Sequence, residues 1–196
     1  MTPATSRRRP STPQGQLTVD AILEAAARIL ERSGPEGLTT NHVAELAGVS
    51  IGSLYQYFPN KEALVGALQD RYAEDTLSRV RAVIADPAPL DVLIVQIANA
   101  VLQAKQAQRA IHRWLIEWRS AAGGQERYRA QLDQLVAVIA ELLAHRCQPE
   151  PATVAFVIVH AVEGIIEAVT SREIGEAQEI ARATALMVTS YVAAGR

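Results

Sequence analysis

The sequence predicts an all-α protein of about nine helices: a small three-helix head carrying a helix-turn-helix, then a larger helical body. Three observations predict it. The apolar residues are largely Ala, Leu, Ile and Val with only 5% aromatics, a composition that leans helical. Apolar positions recur three and four residues apart, and no alternating strand pattern appears. Helix start and stop signals punctuate the chain at short intervals.

Residues 1–16 are rich in Pro, Ser, Thr and Arg without apolar periodicity, and read as a disordered basic tail. Leu17, Thr18 and Ile22 stand in staple order (apolar residue, N-cap, apolar fourth position), so the first helix is expected to begin at Thr18. Val19, Ile22, Leu23, Ala26 and Leu30 give it one apolar face, and Gly34-Pro35 stops it.

The start signal then recurs twice in close succession. Leu38, Thr39 and Val43 form one instance, and Val49, Ser50 and Leu54 the next. The first of these helices is therefore only about two turns long. Gly48 between them can take the left-handed conformation that ends a helix sharply, and the small Ala44 lets the two helices cross closely. Cap, staple, small residue and glycine agree in register over 39–58. This is a helix-turn-helix.

Asn60 caps a fourth helix expected from Lys61 towards Ile84, broken by Asp86-Pro87-Ala88-Pro89. Further helical stretches follow at 90–108, 111–122, 125–145, 151–172 and 176–194, separated by Gly and Pro breaks. The expected domains are 17–77 for the head and 78–196 for the body.

The bulk numbers exclude several classes. A net charge of −2 over 196 residues gives no bulk electrostatic support to nucleic-acid binding. Up to Glu62, Arg7, Arg8, Arg9, Arg28, Arg32 and Lys61 are balanced by Asp20, Glu24, Glu31, Glu36, Glu45 and Glu62. A DNA reading must rest on where residues are placed. The single cysteine, Cys147, excludes an intramolecular disulfide and fits a reducing cytoplasm. Arg7, Arg8 and Arg9 precede no apolar run, so no signal peptide is expected. The most hydrophobic stretch, 154–162, is shorter than the ~20 residues that span a bilayer. No nucleophile triad, phosphate-cradling loop or dinucleotide fingerprint appears, so no catalytic residue and no cofactor is expected.

A helical wheel sorts the segment from Ser50 to Phe58. Ile51, Leu54 and Phe58 share the inward side, while Gly52, Ser53 and Gln56 point outward, free to meet base edges in a major groove. Tyr55 and Tyr57 flank that face, where phenol hydroxyls can reach phosphates. Gly52 weakens the helix but allows a close backbone approach. Thr39 and Thr40 begin the first short helix, and Lys61 adds a cation at the start of the fourth. The expected DNA-contacting set is Thr39, Thr40, Ser50, Ile51, Gly52, Ser53, Tyr55, Gln56, Tyr57 and Lys61. Arg7, Arg8 and Arg9 form either a basic arm or a solvated tail.

The run from Thr39 to Phe58, with Val43-Ala44, Ala47-Gly48-Val49-Ser50, Gly52, Leu54-Tyr55 and Tyr57-Phe58, followed by Lys61 and Leu64, resembles the tetracycline-repressor (TetR) family. The resemblance covers about a third of the chain. It implies that the helix after Ser50 is a recognition helix for double-stranded operator DNA, with Tyr57 and Lys61 on phosphates. It also implies a body that holds a small-molecule effector and forms a homodimer through its last two helices. His42 and Leu46 depart from the family, which commonly has charged residues there.

Within the body, 151–172 is apolar on nearly all sides, as for a helix serving both a core and a subunit interface. The last helix carries Ile180, Ala183, Met187 and Tyr191 at helical spacing, suited to a four-helix interface or to packing within one subunit. Candidate effector residues are polar or aromatic groups among apolar neighbours: His112, Trp114, Glu117, Trp118, Tyr128, His160, Glu163 and Glu167. Trp114 and Trp118 form either a stacking wall or core filling. Glu163 is the most informative, because burying a carboxylate without a partner is costly. His160 and Glu163 do not make a metal site, since the pair lacks a second copy and runs in the reverse order to di-iron motifs. Two readings remain: a ligand-responsive DNA-binding regulator, repressor or activator, and a helical carrier or enzyme that uses its head otherwise.

Overall fold

The computed structural model describes residues 10–107, 124–145, 150–172 and 177–194. These residues form eight helices and no strand: α1 (Pro13–Gly37), α2 (Thr40–Leu46), α3 (Ile51–Tyr57), α4 (Lys61–Ile84), α5 (Leu90–Ala107), α6 (Gly124–His145), α7 (Pro151–Arg172) and α8 (Ala177–Ala194). The helix expected over 111–122 lies outside the described residues, as do Arg7, Arg8 and Arg9. Among the described residues no helix is long and apolar enough to cross a membrane.

The first helix begins earlier than its staple suggests. Thr12 is the N-cap, its hydroxyl accepting from the Gly15 N–H at 3.1 Å, and Pro13 occupies the first helical position. Residues 13–16, expected in the tail, are therefore helical. Thr18 is internal: its hydroxyl donates to the Gln14 carbonyl at 2.9 Å, and Leu17 is exposed. The far end behaves as expected. Gly34 leaves helical geometry at φ 62°, and one further turn runs through Pro35 to Gly37.

The chain divides into two compact units between Tyr72 and Ala73, inside α4. The first contains α1 to α3 and the opening half of α4, joined by the start of α6 as far as Arg127. Its core gathers Ile22, Ile29, Leu38, Val43, Leu54 and Phe58, each almost fully buried. Truncating such a side chain to Ala costs about 2–5 kcal/mol. The second unit packs α5 against α7 and α8, with α6 adding Ile139, Leu142 and Leu143 to a core around Leu93, Val101 and Val188.

Candidate functional site

Local capping builds the first candidate surface. The Thr39 hydroxyl accepts from the His42 N–H at 3.2 Å and starts α2. Gly48 then adopts φ 68°, and the Val49 N–H bonds back to the Ala44 carbonyl at 3.0 Å. This turn brings α3 across α2, with Val43, Ala44 and Leu54 buried at the crossing. Ser50 caps α3 by accepting from the Ser53 N–H at 3.0 Å. Phe58 ends α3, its side chain in the core and its N–H on the Leu54 carbonyl at 2.9 Å.

Of the outward set, Gly52 and Gln56 are exposed on one face of α3, and Ser53 is half-buried beside them. The Ser50 and Ser53 hydroxyls meet at 2.8 Å, so the cap is doubly tied. A Cβ on Gly52 would find only the Ser50 Oγ within 4 Å, at 3.8 Å. Nothing among the described residues of this unit requires a glycine there. Tyr55 is exposed, and its hydroxyl lies 3.1 Å from that of Thr40.

Three expectations change. Ile51, placed inward by the wheel, is 38% exposed, because the first residue of α3 has no preceding turn to cover it. Tyr57 flanks the face less openly than Tyr55: it is half-buried against the head core, and a Cβ on Gly15 would come within 3.1 Å of its hydroxyl. Lys61 has a structural duty, since its Nζ donates to the Pro35 carbonyl at 2.9 Å and so holds the end of α1. Asn60 caps α4 as expected, its Oδ1 accepting from the Ala63 N–H at 2.8 Å.

Thr39, Thr40, Tyr55, Asn60 and Lys61 line one open depression of about 660 Å³ beside the outer face of α3. Glu36 and Glu62 share its rim, so the charge there is mixed. Elsewhere in this unit, the Arg127 guanidinium lies over Gly66 and pairs with Asp70. A Cβ on Gly66 would stand 3.2 Å from the Arg127 Cζ, closer than ordinary contact.

The second unit encloses a cavity lined by α5, α6, α7 and α8, with about 40 Å³ of free space. Glu163 is the one polar side chain among its described lining residues and is 7% exposed. Tyr128 donates its hydroxyl to the Glu163 Oε1. The structure thus joins two of the candidate effector residues. It separates a third: His160 is exposed, its ring stacked on Phe156 at 4.1 Å between centroids and its Nδ1 on the Phe156 carbonyl at 2.9 Å. On a helix, positions three apart differ by about 60°, enough to divide a buried face from a wet one. Glu167 is half-buried. His112, Trp114, Glu117 and Trp118 lie outside the described residues. The aliphatic lining carries no signal of its own in the sequence, because apolar positions at helical spacing look the same whether they fill a core or surround a cavity.

Exposed apolar side chains mark the last two helices. Phe156 and Val157 on α7, and Leu186, Met187 and Tyr191 on α8, all face solvent, Leu186 at 69%.

Known proteins match both parts of the chain. Residues 22–68 match the profile of bacterial regulatory proteins of the tetR family, and residues 89–191 that of the tetracyclin repressor-like C-terminal domain. An uncharacterised HTH-type transcriptional regulator of Mycobacterium tuberculosis is 29% identical over 140 residues, 71% of this chain and 68% of that one. The HTH-type transcriptional repressor DrrR1 of Streptomyces coeruleorubidus is 43% identical over 65 residues, 33% of this chain and 24% of its own. Among solved structures, the fatty acid degradation regulator FadR of Bacillus halodurans superposes with a TM-score of 0.71 at 16% identity, covering 86% of this chain and 96% of that one.

Proposed function

The chain belongs to the TetR family of bacterial transcriptional regulators, and from that premise we propose that it is a homodimeric repressor released from a pseudo-palindromic operator by a small effector. The observation that carries the DNA half is the outer face of α3. An exposed glycine with open space above it and an exposed glutamine one turn on stand in a helix fixed by its own caps. Such a face enters a major groove without rearrangement. Gln56 has the amide geometry to read an adenine edge, and Gly52 lets the backbone approach the base pairs. Thr40 and Tyr55 offer hydroxyls to the phosphates on one wall of the groove. Lys61 adds a cation at the same depression while it holds Pro35.

Dimerisation uses the apolar residues left uncovered on α7 and α8. Phe156, Val157, Leu186, Met187 and Tyr191 pair with the same residues of a second copy, giving a four-helix interface. A two-fold dimer carries two recognition helices and reads two half-sites.

The effector half rests on the cavity beside Glu163. A ligand there changes DNA affinity only if it binds two conformations of the dimer unequally. A coupling of about 1–3 kcal/mol weakens DNA binding five- to 150-fold. The direct test is fluorescence anisotropy with duplex taken from upstream of the protein's own gene, titrated with salt. Sequence-selective binding that weakens steeply with salt supports the reading, and no selective binding at low salt contradicts it.

A further inference from the structure

We propose that Ile51 reads the 5-methyl group of a thymine in each operator half-site, as a second specificity-determining residue of α3 beside Gln56. The proposal rests on reading the outer face of α3 as the DNA surface, and it names the base feature that the first turn of that helix recognises.

The open side chains of α3 fall into two neighbouring strips. Positions four apart share a helix face, and adjacent positions stand about 100° apart. Gly52 and Gln56 form one strip, and Ile51 and Tyr55 the other. Both members of the second strip face solvent, Ile51 at 38% and Tyr55 at 41%. The Tyr55 hydroxyl meets that of Thr40 at 3.1 Å, so this strip runs along the side assigned to the phosphate contacts.

The first turn presents an apolar contact. The Ser50 hydroxyl accepts from the Ser53 N–H at 3.0 Å and lies 2.8 Å from the Ser53 hydroxyl, so the two serines engage each other. Gly52 has no side chain, and the space above it lets the backbone come close to a base pair. Ile51 is then the side chain that this approach carries into the groove.

Its chemistry selects the base. A branched alkyl group neither donates nor accepts a hydrogen bond. Set against a purine N7, a carbonyl oxygen or an exocyclic amino group, it strips water from a polar atom and returns no bond. The thymine methyl is the apolar group that the standard bases present in the major groove, and covering it is favourable. That methyl lies near the backbone of its own strand, the side on which Thr40 and Tyr55 stand. Ile51 and Gln56 are five residues apart, about 7.5 Å along the helix. This exceeds two base-pair steps of about 3.4 Å, so the two residues read different base pairs.

Deoxyuridine tests the contact, because it pairs as thymidine does and lacks only the methyl. In the duplex that the wild-type protein selects from a random pool, each thymine is replaced in turn, symmetrically in both half-sites, and affinity is read by anisotropy. One position, distinct from the base pair that responds to Gln56→Ala, should lose about fourfold per half-site, as for one buried methyl group. Ile51→Ala should bind the thymine and deoxyuridine duplexes within twofold of each other at that position, while the preference due to Gln56 persists. Ile51→Thr keeps the β-branch and should give the same loss of discrimination, which decides the matter if Ile51→Ala does not fold. A wild-type scan with no position costing more than twofold overturns the methyl contact. So does sensitivity that persists undiminished in either folded variant. Both results leave the selection through Gln56 standing. A pool without any consensus overturns the DNA reading itself, and the methyl contact with it.

Discussion

The hydroxyls of Thr40 and Tyr55 lie 3.1 Å apart and tie the first turn of α2 to the outer face of α3. Both sit in the depression that also receives Lys61. Either hydroxyl can turn from its neighbour to a phosphate oxygen without moving the backbone. Tyr55→Phe should therefore leave the thermal melt within about 0.5 kcal/mol of wild type, as for an exposed substitution. It should weaken binding to every duplex by a similar factor, several-fold, in an anisotropy titration. A loss confined to one sequence would place Tyr55 on a base instead.

Gly52→Ala separates folding from binding. A methyl group there meets open space, and alanine is the better helix residue, so stability should hold or rise by up to about 1 kcal/mol in urea denaturation. DNA affinity should fall at least tenfold, because the same methyl meets the floor of the groove. A variant that binds DNA as well as wild type would remove Gly52 from the interface.

Lys61 has two duties, and substitution exposes both. Lys61→Met removes the donor from the half-buried Pro35 carbonyl and should cost about 0.5–1.5 kcal/mol in stability. DNA affinity should also fall, and the dependence of binding on salt should become less steep by about one counterion. Unchanged stability with weakened binding would mean that the bond to Pro35 contributes nothing.

Leu186→Glu tests the subunit interface. Leu186 is among the most exposed apolar side chains described, so a charge there leaves the monomer folded. Sedimentation should report half the wild-type mass with unchanged helical signal, and operator affinity should collapse. A dimer that persists would move the interface off α8.

How far the sequence foretold this follows from the range of each interaction. Thr39, Ser50 and Asn60 cap their helices as read, because a cap is decided within four residues. Gly48 was legible for the same reason. The start of α1 was not: Thr12 and Thr18 both offer a cap, and Pro13 after Thr12 decides between them. The bond from Lys61 to Pro35 spans 26 residues and is invisible to any local pattern. The buried Glu163 could be singled out by chemistry, whereas the solvent-facing turn of His160 depends on which neighbours cover α7. The division within α4 leaves no mark in composition, since the helix runs through it unbroken.

The central claim is that the outer face of α3 reads base sequence through Gln56. Selecting binding sites from a random duplex pool, in parallel for wild type and Gln56→Ala, tests it most directly. A bidentate amide contact is worth about 1–3 kcal/mol of discrimination against the wrong base. The wild-type pool should converge on a pseudo-palindrome, and the variant pool should lose preference at one base pair in each half-site while keeping the others. Two pools with the same consensus, or no consensus in either, would contradict the account.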